Sequence, residues 1–591
     1  MVAVFLFLIT GFWDLQVQNP ELYSERAERN KIKSLPVPAP RGKILDRDGH
    51  MIVDNHSSFK LLLSRENLKP EHLRPISEGL HLDYEELSLR LKRWEKTRPK
   101  YEAIIIKEEL TPDELAFVEA HRDPDFFPEM EVIHSQGRLY PQNQVAAHLI
   151  GYTGEVSEGE LDSAEFAKYD QGDVVGKAGI ERQYNDLLRG VDGQRRVVVD
   201  NLGRIRDSAT MKEAVSGKSL QLTIDLDLQV VAELAMENRK GAVVALDPRN
   251  GEVLAMVSRP AYDPNKFAVR IPTSEWRRLN TNPDNPLLNR AIQAQLAPGS
   301  TFKPIMAIAG LESSTIDENW SVHCSGGATF YGHYHKCHQK GGHGGVSLHR
   351  GIMQSCDVYF YNVGNKMGID KIAFYAETVG FGQKTGIDLP HEKEGLVPSA
   401  QWKAKRYRDK WYPGETISVS IGQGALIVTP LQLAHAIGGL AVGGKWHRPH
   451  LVKDQKPEPP REWGLQPENV RRVVDGLYAV VNEGGTGARA RLPGIEVCGK
   501  TGTAQLASNE FLKANKLGQA MKDNAWFVGF APRENPEIVV VALFENGEHG
   551  HLAAPIVRDV LKAYFDKKAA TQPAPATPLV SSLFRAPQAA R

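Results

Sequence analysis

Two pairs of strand patterns at opposite ends of a long helical stretch limit most tightly what this chain can fold into. Gly241–Leu246 and Glu252–Val257 flank Asn250-Gly251, a dipeptide that suits a tight hairpin turn. Trp526–Phe530 and Ile538–Leu543 form a second pair, with Asn535-Pro536 in the turn. Ser219–Ile224 alternates apolar and polar residues, as a half-buried strand does. Helical periodicity fills the middle, and another helical pattern at Pro555–Phe565 closes the segment. Strands at both ends of a helical middle imply an α+β domain over 216–566, an antiparallel sheet with helices packed on it.

At 591 residues the chain exceeds a single core, and roughly three or four domains are expected from length alone. With 41% hydrophobic residues, most of it can fold. Lys+Arg and Asp+Glu both number 72, so the basic excess that nucleic-acid binding needs is missing. Val2–Ile9 is apolar, and the stretch continues through Gly11, Phe12 and Trp13 to Asp14. That is shorter than the roughly 20 residues that span a bilayer, no Lys or Arg precedes it, and no small-residue cleavage site follows. Residues 1–18 therefore read as the C-terminal part of an uncleaved membrane anchor whose start lies upstream; a buried N-terminal strand or helix is the alternative. Charged Glu21–Lys33 reads as a solvated helix. Pro36, Pro38 and Pro40 then force an extended segment into Arg41–Gly49, where Asp48-Gly49 signals a hairpin turn. Residues 19–215, mixing helical patterns such as Asp113–Glu119 with short strands, are assigned to an elongated non-catalytic α/β module. The end, 567–591, is rich in Ala, Pro and Thr from Ala569 on and reads as a disordered tail.

The chemistry lies in three short motifs. Pro298-Gly299-Ser300-Thr301-Phe302-Lys303-Pro304 places Ser300 at a helix start, because Pro304 is tolerated only in a first turn, and puts Lys303 on the same face. An amine there can take the hydroxyl proton, and the helix dipole favours negative charge developing at Ser300. Alone this is weak: about two Ser-x-x-Lys matches arise by chance in such a length, and Ser57-Ser58-Phe59-Lys60 is one of that kind. Ser355-Cys356-Asp357 and Lys500-Thr501-Gly502-Thr503 follow in order, with Lys500 offering a cation for a carboxylate. The ordered set within one domain carries the weight.

On these motifs the chain resembles the penicillin-binding proteins and serine β-lactamases, and within them the class B, elongation-type branch (penicillin-binding protein 2). Arg41-Gly42 through Asp46-Arg47 is similar to the start of that branch's pedestal, or dimerisation, module. Glu181 and Leu187-Leu188-Arg189-Gly190 are similar to the segment joining pedestal to catalytic domain, and Ser420-Ile421-Gly422-Gln423-Gly424 and Thr429-Pro430-Leu431-Gln432 also follow its pattern. The resemblance, from the anchor to about residue 566, implies a peptidoglycan D,D-transpeptidase fold and activity. Ser300 would attack the D-Ala–D-Ala amide and release D-alanine, with Lys303 as base. Ser355 would relay a proton to the leaving amine, supported by Lys500. Thr501, Gly502 and Thr503 would hold the substrate, the two threonines on its carboxylate. The backbone N–H groups of Ser300 and Thr503 would form an oxyanion hole, elsewhere worth about 3 kcal/mol per donor. Many relatives have Asn at the position of Asp357; Asp is usual in the elongation branch, and it either binds substrate or fixes Lys303. No catalytic cofactor is implied. The implied partners are nascent peptidoglycan, β-lactams, a RodA-type glycosyltransferase and other elongation-complex proteins, with single-pass insertion in the inner membrane and a periplasmic catalytic domain. A D,D-carboxypeptidase or a scaffold that activates the glycosyltransferase are the alternatives.

The cysteines are Cys324, Cys337, Cys356 and Cys498. Cys324 to Cys356 brackets a Gly- and His-rich stretch, with His333, His335, His338 and His343, that is poor at burying a core. Zinc held by Cys324, Cys337, His343 and Cys356 would order it, and some relatives carry a structural metal in this region. A Cys324–Cys337 disulfide or free thiols remain open as alternatives. With residues 355–357 extended, Cys356 would point away from the cleft while its neighbours point in. Cys498 reads as a small buried residue on the strand before Lys500.

Overall fold

The computed structural model describes residues 2–18, 32–65, 68–97, 103–107, 109–121, 126–156, 158–169, 173–199, 205–268, 271–453, 458–505 and 522–571. Val2–Trp13 is a helix of 12 residues. Among the described residues no helix is long and apolar enough to cross a membrane. Most of Glu21–Lys33 lies outside the described residues, but Lys33 belongs to a strand, Ile32–Val37, which pairs with Gly193–Val199 in a three-stranded sheet completed by Ile205–Lys212. The proline-rich extended pattern thus reaches back further than its charges suggested.

The pedestal is built on a second sheet. β1 (Ile44–Leu45) and β2 (Met51–Leu63) form the hairpin expected at Asp48-Gly49, where Gly49 has φ +90°. β3 (Ile104–Lys107) pairs with the far end of β2, and β4 (Met130–Leu139) runs along its other edge. Ser57 and Lys60 lie in β2, so that Ser-x-x-Lys match is a strand and not a helix start. Leu61, Leu63, Ile76, Leu80, Ile104 and Val118 form a core of their own. Only β5 (Leu220–Gln221) is strand within the alternating segment, and it pairs in parallel with β1 while Leu222 bridges to Val452. The chain crosses from pedestal to catalytic domain along this strand, and Ile44, Val53, Leu188 and Leu220 join the catalytic core.

That core surrounds a five-stranded antiparallel sheet. β6 (Gly241–Leu246) and β7 (Val253–Arg259) make the first hairpin, with Gly251 at φ +85°. Beyond the helical middle, which includes α1 (Lys303–Glu312), α2 (Asp357–Met367), α3 (Ala400–Tyr407), α4 (Pro413–Val419) and α5 (Pro467–Asn482), come β8 (Cys498–Ala504), β9 (Asn524–Ala531) and β10 (Ile538–Phe544). The order is β7-β6-β10-β9-β8, so the two sequence-distant pairs meet at β6 and β10. Gly438, in the helix Pro430–Ala441, sits against Val539; Gly529, opposite Val540 in the ladder, sits against Val557 of α6 (Ala554–Thr571). Adjacent strand residues face opposite ways, so the two helices cover opposite faces of the sheet. The Thr429-Pro430-Leu431-Gln432 pattern is a capping box: Gln432 N donates to Thr429 Oγ1 at 3.2 Å and Thr429 N to Gln432 Oε1 at 2.8 Å.

The expected tail starts too early. α6 continues to Thr571 because Lys567 is held by Asp48, Asp225 and Asp227 at 2.7–2.9 Å, tying the helix to the pedestal hairpin. The remainder of 567–591 lies outside the described residues.

Candidate active site

Ser300 lies in a single tight turn, Gly299–Phe302, that runs straight into α1, with Pro304 in the first helical turn as its ring requires. Two neighbours clamp the turn. Gly299 has φ +57°, and a Cβ there would stand 2.4 Å from the carbonyl oxygen of Thr503. Its N–H donates to Gly422 O at 2.9 Å. The Ser420–Gly424 loop and the Lys-Thr-Gly strand therefore hold Ser300 from either side, and Gln423 Nε2 donates to Thr503 O at 3.1 Å.

Behind Ser300 the structure brings the three motifs together around one hydroxyl. Ser355 Oγ accepts from Lys303 Nζ at 3.2 Å and from Lys500 Nζ at 2.9 Å. Both lysines are fully buried. Lys303 also donates to Ser355 O at 2.8 Å and forms an ion pair with Asp357 Oδ1 at 2.6 Å. Among the described residues Lys500 has no carboxylate partner within ion-pair distance; its other bond is to Thr501 O at 3.1 Å. Burial, and then the charge of Lys303, push its amine well below the usual lysine range. Ser355 has φ +55°, a left-handed backbone that strains a non-glycine residue by about 1–3 kcal/mol, and such strain gathers at functional sites.

Asp357 fixes Lys303. Its Oδ1 accepts from the ammonium, and its Oδ2 accepts from the backbone N–H of His338 at 2.9 Å. Burial raises its pKa, but Lys303 and then His338 outweigh that and hold the carboxyl well below the carboxylate range. Asp357→Asn removes the counter-charge, and the second-order rate of β-lactam acylation is expected to fall about 100-fold or more. An unchanged rate would show that the ion pair does not position Lys303.

Thr501 and Thr503 lie on β8 with Gly502 between them, and a Cβ on Gly502 would approach Pro298 O to 2.8 Å. Two contacts were not legible in the motifs. Thr486 Oγ1 lies 2.7 Å from Thr501 Oγ1, and Gly550 N donates to Thr503 Oγ1 at 3.2 Å. The cluster Gly484-Gly485-Thr486-Gly487 marks a tight loop in the sequence, but nothing in its spacing points to Thr501.

The Cys/His segment folds onto the back of this site. Cys324 ends a strand paired with Gly344–Ser347, the hairpin Gly327–Phe330/His333–Lys336 leads to Cys337, and Cys356 precedes α2. Only Cys356 is extended (φ −65°, ψ 114°); Ser355 is left-handed and Asp357 starts α2, so the expected extended 355–357 segment does not form. Cys356 still faces the other cysteines while Ser355 and Asp357 reach Lys303. The ligand atoms of Cys324, Cys337, His343 and Cys356 all lie within 4.8 Å of one another, and His343 Nδ1 is 3.6 Å from both Cys324 Sγ and Cys337 Sγ. Bonds of about 2.3 Å to sulfur and 2.0 Å to nitrogen at tetrahedral angles place ligand atoms about 3.5–3.8 Å apart. The donor set fits a tetrahedral metal. The hydrogen bond from Cys356 lowers the pKa of the Cys337 thiol and raises that of Cys356, so the two share one proton in the absence of a metal. All four cysteines are free thiols; Cys498, in β8, is buried as expected. His333 and His335 stay on the hairpin, whereas His338 turns to Asp357.

A serine at a helix start, two buried lysines and a five-stranded antiparallel sheet define a serine acyl-transfer domain of the penicillin-binding type. The sequence model of the penicillin binding protein transpeptidase domain matches residues 241–562, and that of the penicillin-binding protein dimerisation domain matches 36–222. The peptidoglycan D,D-transpeptidase MrdA of Acinetobacter baumannii is 37% identical, over 95% of this chain and 85% of that protein; MrdA of Escherichia coli K12 is 32% identical, over 94% and 91%. Among solved structures, penicillin-binding protein PBP2 of Helicobacter pylori in complex with MreC superposes with a TM-score of 0.80 at 31% identity, covering 91% of this chain and all of that one. PBP2 of Pseudomonas aeruginosa in complex with WCK 5153 gives 0.68 at 33% identity, covering 90% and 96%. A peptidoglycan synthase complex coordinating polymerization and crosslinking gives 0.71 at 30% identity, covering 98% of each chain. The chain belongs to the penicillin-binding protein family, in its class B branch alongside the MrdA proteins.

Proposed function

We propose that this chain is a peptidoglycan D,D-transpeptidase that cross-links stem peptides during cell elongation through an acyl-enzyme on Ser300. The observation that carries this reading is the hydroxyl of Ser355 shared by Lys303 and Lys500. It links the turn that bears the nucleophile to the strand that would hold the substrate carboxylate. Lys303, positioned by Asp357, acts in its amine form and accepts the Ser300 proton as Oγ attacks the D-Ala–D-Ala carbonyl. Burial pushes the Lys500 amine well below the usual lysine range, which favours Ser355, bonded to both lysines, as the proton relay. The proton returns through Ser355 to the leaving D-alanine amine as the amide bond breaks. An amine of a second stem peptide then attacks the ester carbonyl, and its proton passes through Lys303 to Ser300 Oγ as the ester bond breaks. The backbone N–H groups of Ser300 and Thr503 supply the oxyanion hole, and Thr501 and Thr503 the carboxylate contacts. An assay that separates cross-linked dimer from released D-alanine tests the acceptor: dimer is expected, and release without dimer would make the enzyme a carboxypeptidase.

The second element of the reading is a structural zinc on Cys324, Cys337, His343 and Cys356. It would brace the segment in which His338, next to Cys337, holds Asp357. Native mass spectrometry is expected to find one zinc per chain, and its removal by a chelator to lower Tm by about 5–10 °C. A metal-free native mass, or a mapped Cys324–Cys337 disulfide, would contradict it.

The third is placement. Phe5, Phe7, Phe12 and Trp13 of the N-terminal helix are each more than half exposed, as side chains facing lipid would be. This supports contact with lipid, and the class B resemblance implies that the anchor lies in the inner membrane with the catalytic domain in the periplasm. The relatives seen with MreC and in a peptidoglycan synthase complex support partnership with elongation-complex proteins, and a RodA-type glycosyltransferase is the partner that the class B resemblance implies.

A further inference from the structure

Away from the cleft, one face combines exposed aromatic rings with uncompensated positive charge. Lys403 in α3 is neutralised by Glu415 and Asp409. Lys405, Arg406, Arg408 and Lys410 are exposed and have no acidic partner within ion-pair distance among the described residues. Tyr407 and Tyr412 lie among them, 63% and 45% exposed. The hairpin of the Cys/His segment adds Tyr331 and Tyr334, 56% and 60% exposed. Tyr331 donates to Asn365 of α2 at 2.7 Å, and its ring reaches within 4.0 Å of where a Cβ on Gly414 would stand, so hairpin and loop share one surface. From there α4, seven residues and ~10 Å long, leads to Gly422, whose carbonyl accepts from Gly299 beside Ser300.

We propose that this face binds a glycan strand of uncross-linked peptidoglycan. This deepens the transpeptidase reading and rests on it. Such a strand presents flat sugar faces to tyrosine rings and stem-peptide carboxylates to the four exposed cations, of which Lys410 also lies 5.5 Å over the Tyr412 ring. Its position one short helix from Ser300 lets the face hold a strand while the cleft takes one stem peptide. A neutral sugar polymer offers the rings but not the carboxylates and binds more weakly. A large part of the attraction is between exposed charges, so added salt weakens it.

The test uses the full chain and glycan strands bearing pentapeptide stems, measured by cosedimentation. A K405E/R406E/R408E/K410E variant and a Y407S/Y412S variant are expected to lose about tenfold or more in strand affinity. Both should keep the parent Tm and the parent rate of β-lactam acylation, since none of these residues touches Ser300. Unchanged strand affinity with intact acylation overturns the proposal alone. Loss of binding to phosphatidylglycerol vesicles, with strand binding untouched, overturns it in favour of a membrane-facing role. Failure of the unaltered protein to take a β-lactam at Ser300 overturns the transpeptidase reading itself.

Discussion

Replacing Ser300 by alanine is expected to end cross-linking, with a loss of about 1,000-fold or more, while the protein stays folded. The hydroxyl is half-buried and makes no hydrogen bond among the described residues, so its removal leaves nothing unpaired. Stability should change by no more than the ~0.5 kcal/mol typical of a neutral substitution. The other cleft hydroxyl, on Ser355, is held by both lysines and does not replace it. Dimer formation by the purified variant checks this, and retained cross-linking would place the nucleophile elsewhere. In cells, a strain that keeps its shape on Ser300→Ala would show scaffolding to be the main role.

Glu181→Ala should destabilise the pedestal base by about 3–5 kcal/mol, the range for an orphaned buried charge. Glu181 is fully buried between Arg41 Nε at 2.6 Å and Arg138 Nε at 2.7 Å, whose side chains are 10% and 4% exposed. Arg41 also donates to Glu181 O and Asn185 Oδ1, and Arg138 to Asn55 Oδ1, so one carboxylate anchors groups from four segments. Burial raises the Glu181 pKa, but the two guanidinium charges outweigh it and hold it below the ordinary 4.5. A depressed folded value means the stabilisation is complete above that pH and is lost as pH falls through the lower value. Denaturant unfolding at neutral and acid pH measures both effects: the gap between variant and parent should narrow in acid. A loss under about 1 kcal/mol at pH 7 would contradict the network's role.

The catalytic sheet was legible because its signals are local. Asn250-Gly251 makes a hairpin whatever surrounds it, and apolar β6 and β10 have few alternatives to a covered sheet. The motif residues were legible as types at fixed spacing; Cys356 faces the other cysteines as expected, but through the left-handed turn at Ser355 and the helix start at Asp357, not through an extended strand. What the chain withheld was pairing across distance. Nothing near Asp357 in sequence points to the backbone N–H of His338, nor anything near Thr501 to Thr486. Boundaries blurred for the same reason. Lys567 extends the last helix through carboxylates more than 300 residues away, and β5 finds its partner in β1. Composition alone reads the first as tail and the second as catalytic domain.

The most direct test is to incubate the unaltered protein with a fluorescent penicillin, weigh the intact product and map the adduct by peptide mass spectrometry. One covalent equivalent on Ser300, released slowly, is the predicted result. No mass gain, an adduct on another residue such as Ser355, or rapid turnover to free penicilloic acid would contradict the assignment.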